Sequence, residues 1–570
     1  MHFYLTFNKD GRVGFSPFPE RDVQDLSVTG YLCAPLSYAT IQFIQDQLGR
    51  RESFAFWFRG AKRKDPKLEI LKILKGLGWN ASDLIWKEYR PVPVAAQGPL
   101  AKQTNAAGKA FKRLTAGRQL SIGDLRCLAH QLKIKEDEII KFAHCNVEQG
   151  KAKWVPALRK VGNGWQCQRC GERDVEEWPS QYEMAATCPS CQSIGSCTSL
   201  DVLYRDKNSL WGGSSEVNFQ PHWVLTDAQR LASEQVLEFI RDPCEKTALL
   251  WAACGAGKTE VCFPSAAWAL KEGKSVLFAA PRQDVINDIA PRLKRDFPDF
   301  AFQVLTGTSS IKFQTGKMVL ATTHQILRFW QAFDIIFLDE MDAFPFQGSR
   351  ALEWGLHHAL RQNGKILYLT ATPSAEGLKQ VRQGKMQIIR LPARYHRTAL
   401  PVPIWEKSRH PIEPNGCKDV WASQIKVLRL QGPVLVFVPK ISWIDPWLKC
   451  FRRYFPGWSV DGSYSADPDR FSKIKRLRQG EFDLFVSTTI LERGITLPQI
   501  QVLVLGADNP IFDERALVQM AGRVGRTKES PRGRVVFISV HLTSAMQTAI
   551  QWIKEQNQLA MELGLIDLRG

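Results

Sequence analysis

Ala252-Ala253-Cys254-Gly255-Ala256-Gly257-Lys258-Thr259 is the segment from which the architecture of this 570-residue chain can be read. It follows an apolar run, Thr247 to Trp251, that is typical of a buried strand, and residues 260–270 can continue as a helix. The two glycines permit a tight backbone path that points several N–H groups at a phosphate chain. The pattern predicts a phosphate-binding loop between a strand and a helix.

Individual residues of this loop suit particular contacts with a nucleotide. Gly255 and Gly257 supply the backbone freedom, Lys258 carries positive charge toward the outer phosphates, and the Thr259 hydroxyl is suited to hold Mg²⁺. Ala252 stands where the common Gly-x4-Gly-Lys-Thr form has its first glycine, so the loop is a variant of that form. We therefore expect a nucleotide and Mg²⁺ as cofactors.

Composition and charge narrow the class of protein. The length predicts three or four domains, and 44% hydrophobic residues are enough for packed cores. The formal net charge of +19 predicts association with a polyanion, because basic side chains release its condensed counterions. A basic protein with no such partner is the alternative reading.

Residues 1–30, the length of the apolar runs and the cysteines indicate the cellular compartment. Residues 1–30 lack a basic segment followed by an apolar one, and nowhere do 18 uncharged apolar residues run together, so we expect neither a secretory signal nor a membrane span. Thirteen cysteines, mostly scattered, fit a reducing cytoplasm better than a disulfide framework. The expected location is cytoplasmic.

From about Thr247 onward, short apolar strands alternate with helical segments, which predicts two tandem α/β lobes with parallel sheets. The proline-rich stretch Leu391–Trp405 suits a linker between them. The first series of predicted strands is Ala248–Trp251, Ser275–Ala280, Met318–Thr322, Ile335–Asp339 and Ile366–Thr370. The second series is Val434–Val438, Leu484–Thr488, Val502–Leu505 and Val535–Ile538.

We divide the chain into four predicted domains. Residues 1–150 form an N-terminal accessory domain, 151–214 a four-cysteine module, 215–396 the first lobe and 397–570 the second lobe. In the accessory domain, Ile122–Phe142 has helical spacing of its apolar residues. A basic strip precedes this segment and consists of Lys102, Lys109, Lys112, Arg113 and Arg118.

Two Cys-x2-Cys pairs predict a structural zinc site. They are Cys167-Gln168-Arg169-Cys170 and Cys188-Pro189-Ser190-Cys191, separated by 17 residues. Each pair can form a tight turn that aims two thiolates at one tetrahedral ion, and four thiolates leave no position open for catalysis. The alternative is an accidental cluster of buried cysteines. Cys197 lies just beyond, as a bystander or as a substitute ligand.

An acidic turn follows the predicted strand that ends at Leu338. We assign Asp339 to Mg²⁺ and Glu340 to the general base that deprotonates the attacking water, because carboxylates at the tip of a strand beside the phosphate loop suit these roles. An acidic turn on the surface is the alternative. Near the C-terminus, Gln519 opens a segment in which Arg523 and Arg526 can face a γ-phosphate across a cleft; all three are candidate catalytic residues.

Together these motifs resemble those of superfamily-2 helicases over about residues 222–540, which implies two RecA-like lobes and hydrolysis of ATP. The stretch Leu225–Gln229 resembles the adenine-reading motif, with Thr226 and Gln229 as binding residues. The stretch Thr370-Ala371-Thr372-Pro373 resembles the motif that couples hydrolysis to strand movement. The resemblance also implies nucleic-acid contacts by Arg282, Thr323, Thr488, Arg493 and Gly494.

Three departures from DEAD-box RNA helicases favour a DNA translocase. Met341 replaces the alanine of Asp-Glu-Ala-Asp, Thr496 stands where Asp is usual, and Gln519 stands where the sixth motif begins with His. One further segment bears on DNA binding. In Asp469–Gly480 an apolar helix face is surrounded by basic residues, and it is either a solvated surface or a contact with DNA phosphates.

Among DNA helicases, the chain resembles the ComFA-type late-competence helicases of Gram-positive bacteria. The four-cysteine module before the lobes, Asp339–Pro345, Leu391–His396 and Leu400–Pro403 carry this resemblance. It implies an ATP-driven motor on single-stranded DNA at the inner face of a membrane pore, with a ComFC-like phosphoribosyltransferase-like protein and a DprA-like DNA-processing protein as partners.

Two other functions stay open at the level of sequence. A PriA-like replication-restart helicase shares the two lobes, but its zinc cluster interrupts the second lobe, whereas here the cysteine pairs precede the first. A zinc-dependent DNA-binding scaffold with an inactive ATPase is the other alternative. The intact Lys258, Glu340 and Arg523 count against it.

Overall fold

The computed structural model describes residues 3–8, 13–20, 22, 28–57, 65–88, 106–162, 164–180, 184–210, 217–414, 419–491, 497 and 499–567. The N-terminal part contains an antiparallel sheet in the order β2-β1-β3-β4. Its strands are β1 (Tyr4–Asn8), β2 (Val13–Ser16), β3 (Val28–Leu32) and β4 (Trp86–Glu88), and the helices around it are Tyr38–Trp57, Pro66–Gly76, Ala106–Thr115, Ile122–Leu132 and Glu136–Glu148, with a 3₁₀ turn at Ala81–Asp83.

The segment with helical spacing, Ile122–Phe142, is helical and spans two helices, Ile122–Leu132 and Glu136–Glu148. The first ends at Leu132 because Lys133 adopts a left-handed backbone conformation (φ 55°), and its N–H group then bonds back to the last turn. The predicted basic strip is wrong at Arg118. Its side chain is buried and donates to Gln303 Oε1 (2.7 Å) of the first lobe, so it packs the accessory domain onto that lobe.

The cysteine-bearing region is built from short antiparallel strands. They are β5 (Gln119–Ser121), β6 (Ala152–Pro156), β7 (Leu158–Val161), β8 (Gly164–Cys167), β9 (Glu176–Pro179), β10 (Met184–Cys188), β11 (Cys197–Thr198) and β12 (Val202–Asp206), with a 3₁₀ turn at Pro189–Ile194. One sheet has the strand order β5-β12-β6. Its central strand β12 pairs with β5, which precedes residue 150, and with β6, which follows it. The division into domains at this point stays a prediction.

The first lobe is a seven-stranded parallel sheet in the order β15-β16-β14-β17-β18-β13-β19, which confirms the predicted fold class. Its strands are β13 (Thr247–Ala252), β14 (Val276–Ala280), β15 (Phe302–Leu305), β16 (Met318–Thr322), β17 (Phe333–Asp339), β18 (Leu360–Thr370) and β19 (Gln387–Leu391). Its helices are Asp227–Arg241, Phe263–Lys271, Gln283–Asp296, Thr323–Ile326, Arg350–Ala359 and Ala375–Arg382, with a 3₁₀ turn at Glu260–Cys262.

The second lobe is a six-stranded parallel sheet in the order β20-β25-β24-β21-β23-β22. Its strands are β20 (Ile404–Lys407), β21 (Val434–Phe437), β22 (Val460–Ser463), β23 (Leu484–Ser487), β24 (Gln501–Leu505) and β25 (Val535–Ser539). Its helices are Asp419–Arg429, Ile444–Tyr454, Arg470–Arg478, Glu514–Ala521 and Ser544–Glu562, with 3₁₀ turns at Ile441–Trp443 and Thr489–Leu491.

The predicted linker Leu391–Trp405 is shorter than expected at both ends. Leu391 is the last residue of β19, and Trp405 lies in β20, opposite Phe537 of β25. The Trp405 indole also donates to Ser539 Oγ (3.0 Å). The end of this proline-containing stretch therefore belongs to the second sheet, because it is hydrogen-bonded to β25.

A buried ion triad joins the accessory domain, the cysteine module and the first lobe. The Asp124 carboxylate caps the helix Ile122–Leu132 through Ser121 and also accepts from Arg169 (Nη2, 3.2 Å) and Arg328. Burial raises the pKa of Asp124, but the two guanidiniums outweigh burial and hold that pKa below its usual value. The two arginines also donate to the carbonyls of Gly195 and Ile194, beside the second cysteine pair.

Candidate active site

The predicted phosphate loop leaves the buried strand β13 with the backbone that its glycines allow. Gly255 (φ 80°) and Gly257 (φ 79°) both lie in the left-handed region. A Cβ at Gly257 would stand 2.5 Å from Gln229 Nε2, so no other residue fits there without displacing that side chain.

Gln229 holds this loop from the helix Asp227–Arg241. Its side chain accepts from the N–H of Thr226, which caps the helix, and donates to the carbonyl of Ala256 (2.8 Å). Gln229, one of the two predicted adenine-reading residues, thus contacts the phosphate loop directly. The role of both residues in adenine binding stays a prediction.

Lys258, Thr259 and Asp339 meet at the end of β17. Lys258 Nζ lies 3.1 Å from one oxygen of the Asp339 carboxylate, and the Thr259 hydroxyl donates to the other (3.0 Å). Burial lowers the pKa of Lys258, but Asp339 and Glu340 outweigh burial, and the net effect raises that pKa. The lysine is therefore held in its charged form beside an oxygen donor set that suits Mg²⁺.

The acidic turn is tied to the predicted coupling motif by hydrogen bonds. Asp342 accepts from the hydroxyls of Thr370 (2.7 Å) and Thr372 (2.6 Å). Gln519 of the second lobe then donates to Thr372 Oγ1 (3.4 Å). A continuous chain of polar contacts runs from the acidic turn to the second lobe, and sequence reasoning gave Asp342 no role in it.

The two predicted arginines lie at the interface between the lobes, where Arg523 is buried and Arg526 is half-buried. Burial and then the neighbouring Arg526 lower the pKa of Arg523, whereas Glu340 opposes this shift. Burial also lowers the pKa of Arg526, again against Glu340. Cys254 of the phosphate loop contacts Gln519 Oε1 (3.7 Å), so the arginine segment lies directly against that loop. Two crowded guanidiniums in such a place favour a polyanion between them and the loop.

Arg394 is a residue that sequence reasoning did not assign. Its buried guanidinium donates to the carbonyls of Cys254 (2.9 Å) in the first lobe and Val524 (2.8 Å) in the second. Burial and the nearby Arg526 lower its pKa to about 10. Arg394 therefore joins the phosphate loop to the arginine segment. The only signal in the sequence was its place in the ComFA-like stretch Leu391–His396.

A groove of about 1230 Å³ separates the lobes on the face that carries the predicted nucleic-acid residues. Arg282 and Thr488 both line it, which brings these two predicted contacts together across the lobes. Three basic residues of the helix Arg470–Arg478 line it as well: Arg470, Lys475 and Arg478. None of these three forms an ion pair with another residue that the structure describes.

The acidic residues of the groove are largely engaged. Asp284 pairs with Arg282 (2.5 Å), and Asp288 pairs with Arg292 (2.5 Å). Asp513 caps the helix Glu514–Ala521. The charge left for a ligand in the described part of the groove is therefore mostly positive.

The remaining predicted nucleic-acid residues are placed differently. Thr323 is only 1% exposed, and its hydroxyl has no hydrogen-bond partner among the described residues. Arg493 and Gly494 lie outside the residues that the structure describes, as does Thr496. Their roles stay predictions.

The four predicted metal ligands form one buried group. The Sγ atoms of Cys167 and Cys191 are 3.8 Å apart, and those of Cys170 and Cys188 are 3.5 Å apart. Zn–S bonds of about 2.3 Å in a tetrahedron place two sulfurs about 3.8 Å apart, so the four thiols fit a zinc ion. Cys197 is buried beside them, opposite Cys188 in the register of β10 and β11.

A second group of possible ligands fits a metal less well. His144 Nε2 lies 3.7 Å from Asp22 and 3.5 Å from Glu148. The Trp154 indole N–H donates to His144 Nδ1 (3.4 Å). A neutral imidazole then carries its proton on Nε2 and has no lone pair there for a metal.

In the part of the chain that the structure describes, no helix has both the length and the apolar content needed to cross a bilayer.

Comparison with known families finds two matches along the lobes. Residues 222–375 match the family described as type III restriction enzyme, res subunit. Residues 421–528 match the helicase conserved C-terminal domain.

Individual proteins are similar over most of the chain. Competence protein ComFA of Bacillus subtilis is 35% identical over 414 residues, which cover 71% of this chain and 88% of that protein. Competence protein ComFA of Streptococcus pneumoniae is 33% identical over 418 residues, which cover 72% of this chain and 95% of that protein. Among solved structures, Saccharomyces cerevisiae Dbp5 bound to RNA and ADP BeF3 is 16% identical over 58% of this chain and 91% of that chain, with a TM-score of 0.43.

Proposed function

The chain belongs to the ComFA family of competence proteins, and from this membership we propose that it is an ATP-driven motor that translocates on single-stranded DNA during DNA import in natural transformation. Its two lobes are those of an ATP-hydrolysing helicase. The replication-restart alternative has the same lobes, but the competence proteins of Bacillus subtilis and Streptococcus pneumoniae, each similar over more than 70% of this chain, support the competence role.

One observation carries the proposal. Residues of the phosphate loop, the acidic turn and the arginine segment come together at one junction between the lobes, although the third group lies more than 170 residues from the others in the chain. Such convergence suits a motor, because a nucleotide held by both lobes can change their separation when it is hydrolysed. An inactive scaffold has no need of this arrangement.

The chemistry follows from the residues of the cleft. We propose that backbone N–H groups around Gly255–Lys258 bind the phosphates and that Thr259 and Asp339 hold Mg²⁺, which supplies charge neutralisation when bound. Glu340 then orients and deprotonates the attacking water, while Arg523 and Arg526 stabilise the charge that develops on the transferred phosphoryl group.

The groove is the proposed path of the DNA strand. Arg282 and Thr488 line its two sides, and the helix Arg470–Arg478 adds basic side chains without ion-pair partners among the described residues. The net charge of +19 agrees with a polyanionic ligand. We propose that the strand crosses both lobes here, so that opening and closing of the cleft moves it.

The four-cysteine group is proposed to hold one structural Zn²⁺. By family membership, we further propose that the protein works at the inner face of the membrane beside a DNA-uptake channel, with ComFC-like and DprA-like partners.

ATP turnover by the purified chain, with single-stranded DNA, duplex DNA and RNA compared at equal nucleotide concentration, tests this function. We expect stimulation by single-stranded DNA above that by RNA. Turnover that no nucleic acid stimulates would contradict the motor function, and preferential stimulation by RNA would contradict the DNA substrate.

A further inference from the structure

Phe344 is exposed to an unusual degree for an aromatic residue beside a catalytic turn. Its side chain is 84% exposed and lines the groove between the lobes. Burying a phenylalanine side chain stabilises a folded protein, a gain that this position forgoes in the free protein. A single exposed aromatic residue is ordinary on a protein surface, so its surroundings decide what it can do.

Exposed apolar groups recur on the opposite side of the groove. Ile441 and Ile511 of the second lobe are 48% and 51% exposed, and both line the same groove as Phe344. Basic side chains flank them at Arg470, Lys475 and Arg478. The groove thus offers flat apolar contacts together with positive charge, and the matching ligand is anionic along its backbone and apolar on its faces.

The backbone around Phe344 is ordered by consecutive turns. The N–H of Ala343 donates to the carbonyl of Glu340 (2.9 Å), and the N–H of Phe346 donates to the carbonyl of Ala343 (3.0 Å). Two residues before Phe344, Asp342 accepts the hydroxyls of Thr370 and Thr372. The aromatic ring is therefore presented by the same turn that carries the proposed general base.

We propose that Phe344 is a stacking platform for an unpaired nucleobase, so that the groove selects single-stranded over duplex nucleic acid. This inference rests on the proposed function. Base faces are accessible only where the strand is unpaired, and stacking on an aromatic ring tolerates every base. Phe344 is four residues from Glu340 in the chain, so occupation of the platform would be sensed at the acidic turn.

Equilibrium binding of a fluorescent oligo-dT strand of about 20 nucleotides to the full chain tests the platform, with Phe344→Ala, Phe344→Leu and Phe344→Trp compared at several salt concentrations. We expect Phe344→Ala to weaken binding about tenfold, which corresponds to about 1.4 kcal/mol. Phe344→Trp should restore the affinity and Phe344→Leu should not. The salt dependence should keep its slope, because all of these variants retain the basic groups that meet the phosphates.

Leu430→Ala is the matched control, since Leu430 is 88% exposed and does not line the groove. It should bind like the parent. Equal affinities for the parent and Phe344→Ala would overturn the inference, as would an equal loss of affinity for a blunt duplex. Absence of binding by the parent protein would instead contradict the proposed function. A strand with 2-aminopurine gives a second readout: we expect its fluorescence to be quenched by the parent and not by Phe344→Ala.

Discussion

Glu340 occupies a left-handed backbone conformation (φ 51°), which a residue with a side chain rarely adopts. Hydrogen bonds hold the acidic residues on either side of Glu340. Asp339 accepts from the Thr259 hydroxyl, and Asp342 accepts from the Thr370 hydroxyl. Contacts of the flanking residues therefore hold the backbone from which the Glu340 side chain extends. Such fixed geometry is what a general base requires.

We expect Glu340→Gln to lower ATP turnover by about 10²-fold or more while nucleotide binding is retained, because only the proton-accepting group is removed. Lys258→Ala should instead weaken nucleotide binding, because it removes positive charge near the phosphates. Steady-state turnover together with equilibrium binding of a fluorescent ATP analogue separates the two effects. Glu376→Gln, an exposed change in the same lobe, serves as the control. Parental turnover by Glu340→Gln would remove Glu340 from the role of base.

Short motifs made several residues of the cleft predictable from the sequence. Contacts between residues far apart in the chain were not predictable. Lys258 and Asp339 could be named from local spacing, and the structure brings them together (3.1 Å), while their roles stay predictions. Arg394 could not, because its function depends on carbonyls of Cys254 and Val524 that only folding brings to it. The contact of Gln229 with the phosphate loop was missed for the same reason.

At the scale of elements, the helix Arg470–Arg478 divides its charges between two surroundings. Lys473 pairs with Asp467 and Arg476 with Glu481, whereas the three residues of this helix that line the groove, Arg470, Lys475 and Arg478, have no such pairs with described residues. The solvated-face alternative stays open for the whole helix. The groove-lining charges are the ones available to DNA phosphates.

Replacing Arg470 and Arg478 together with Gln should weaken binding of single-stranded DNA and flatten its salt dependence. The slope should fall by about 0.7 for each phosphate that is no longer neutralised. The control is Lys449→Gln with Arg453→Gln, which removes the same charge from exposed positions of the helix Ile444–Tyr454. If both double variants bind with the parental slope, this helix has a solvated face and does not touch DNA.

The buried triad is expected to be a stability element. Asp124→Asn removes the carboxylate that Arg169 and Arg328 share, and breaking a buried pair in this way costs about 3–5 kcal/mol. Thermal unfolding should therefore begin at a lower temperature than in the parent. Asp137→Asn, an exposed change in the first turn of the next helix, should unfold like the parent. Equal unfolding of Asp124→Asn and the parent would show that the triad does not stabilise this junction.

The cysteine group gives a prediction about metal content. Elemental analysis of protein purified without chelator should find one Zn²⁺ for each chain, because four thiols at these distances fit a tetrahedral ion. Cys167→Ser should lose the metal and destabilise the module more than it weakens ATP binding, since binding energy is largely folding energy in so small a unit. Zinc-free parent protein with an intact module would contradict the structural role.

The strands predicted in the two lobes were all found, and those that the prediction missed share one property. β15, β19, β20 and β22 are the edge strands of the two parallel sheets. Central strands of such sheets are buried on both faces and show as continuous apolar runs, whereas an edge strand needs no such run. The sequence Val460-Asp461-Gly462-Ser463 of β22 shows how weak the signal becomes.

At the scale of the whole molecule, contacts tie the accessory domain and the cysteine module to the first lobe. Arg118 and Arg328 make these contacts in the buried interior, and a side chain at Gly171 would collide with the Trp354 ring of the first lobe. The described polar contacts between the lobes include those at the nucleotide cleft, through Arg394 and Gln519. We expect hydrolysis to act at this second junction, so that the second lobe moves against the rest.

The most direct test of the proposed motor is displacement of streptavidin from biotin placed at either the 3′ or the 5′ end of single-stranded DNA. With ATP, we expect displacement from one end and not the other, and none with a non-hydrolysable ATP analogue or with Glu340→Gln. Rapid DNA-stimulated hydrolysis without displacement from either end would contradict translocation along the strand.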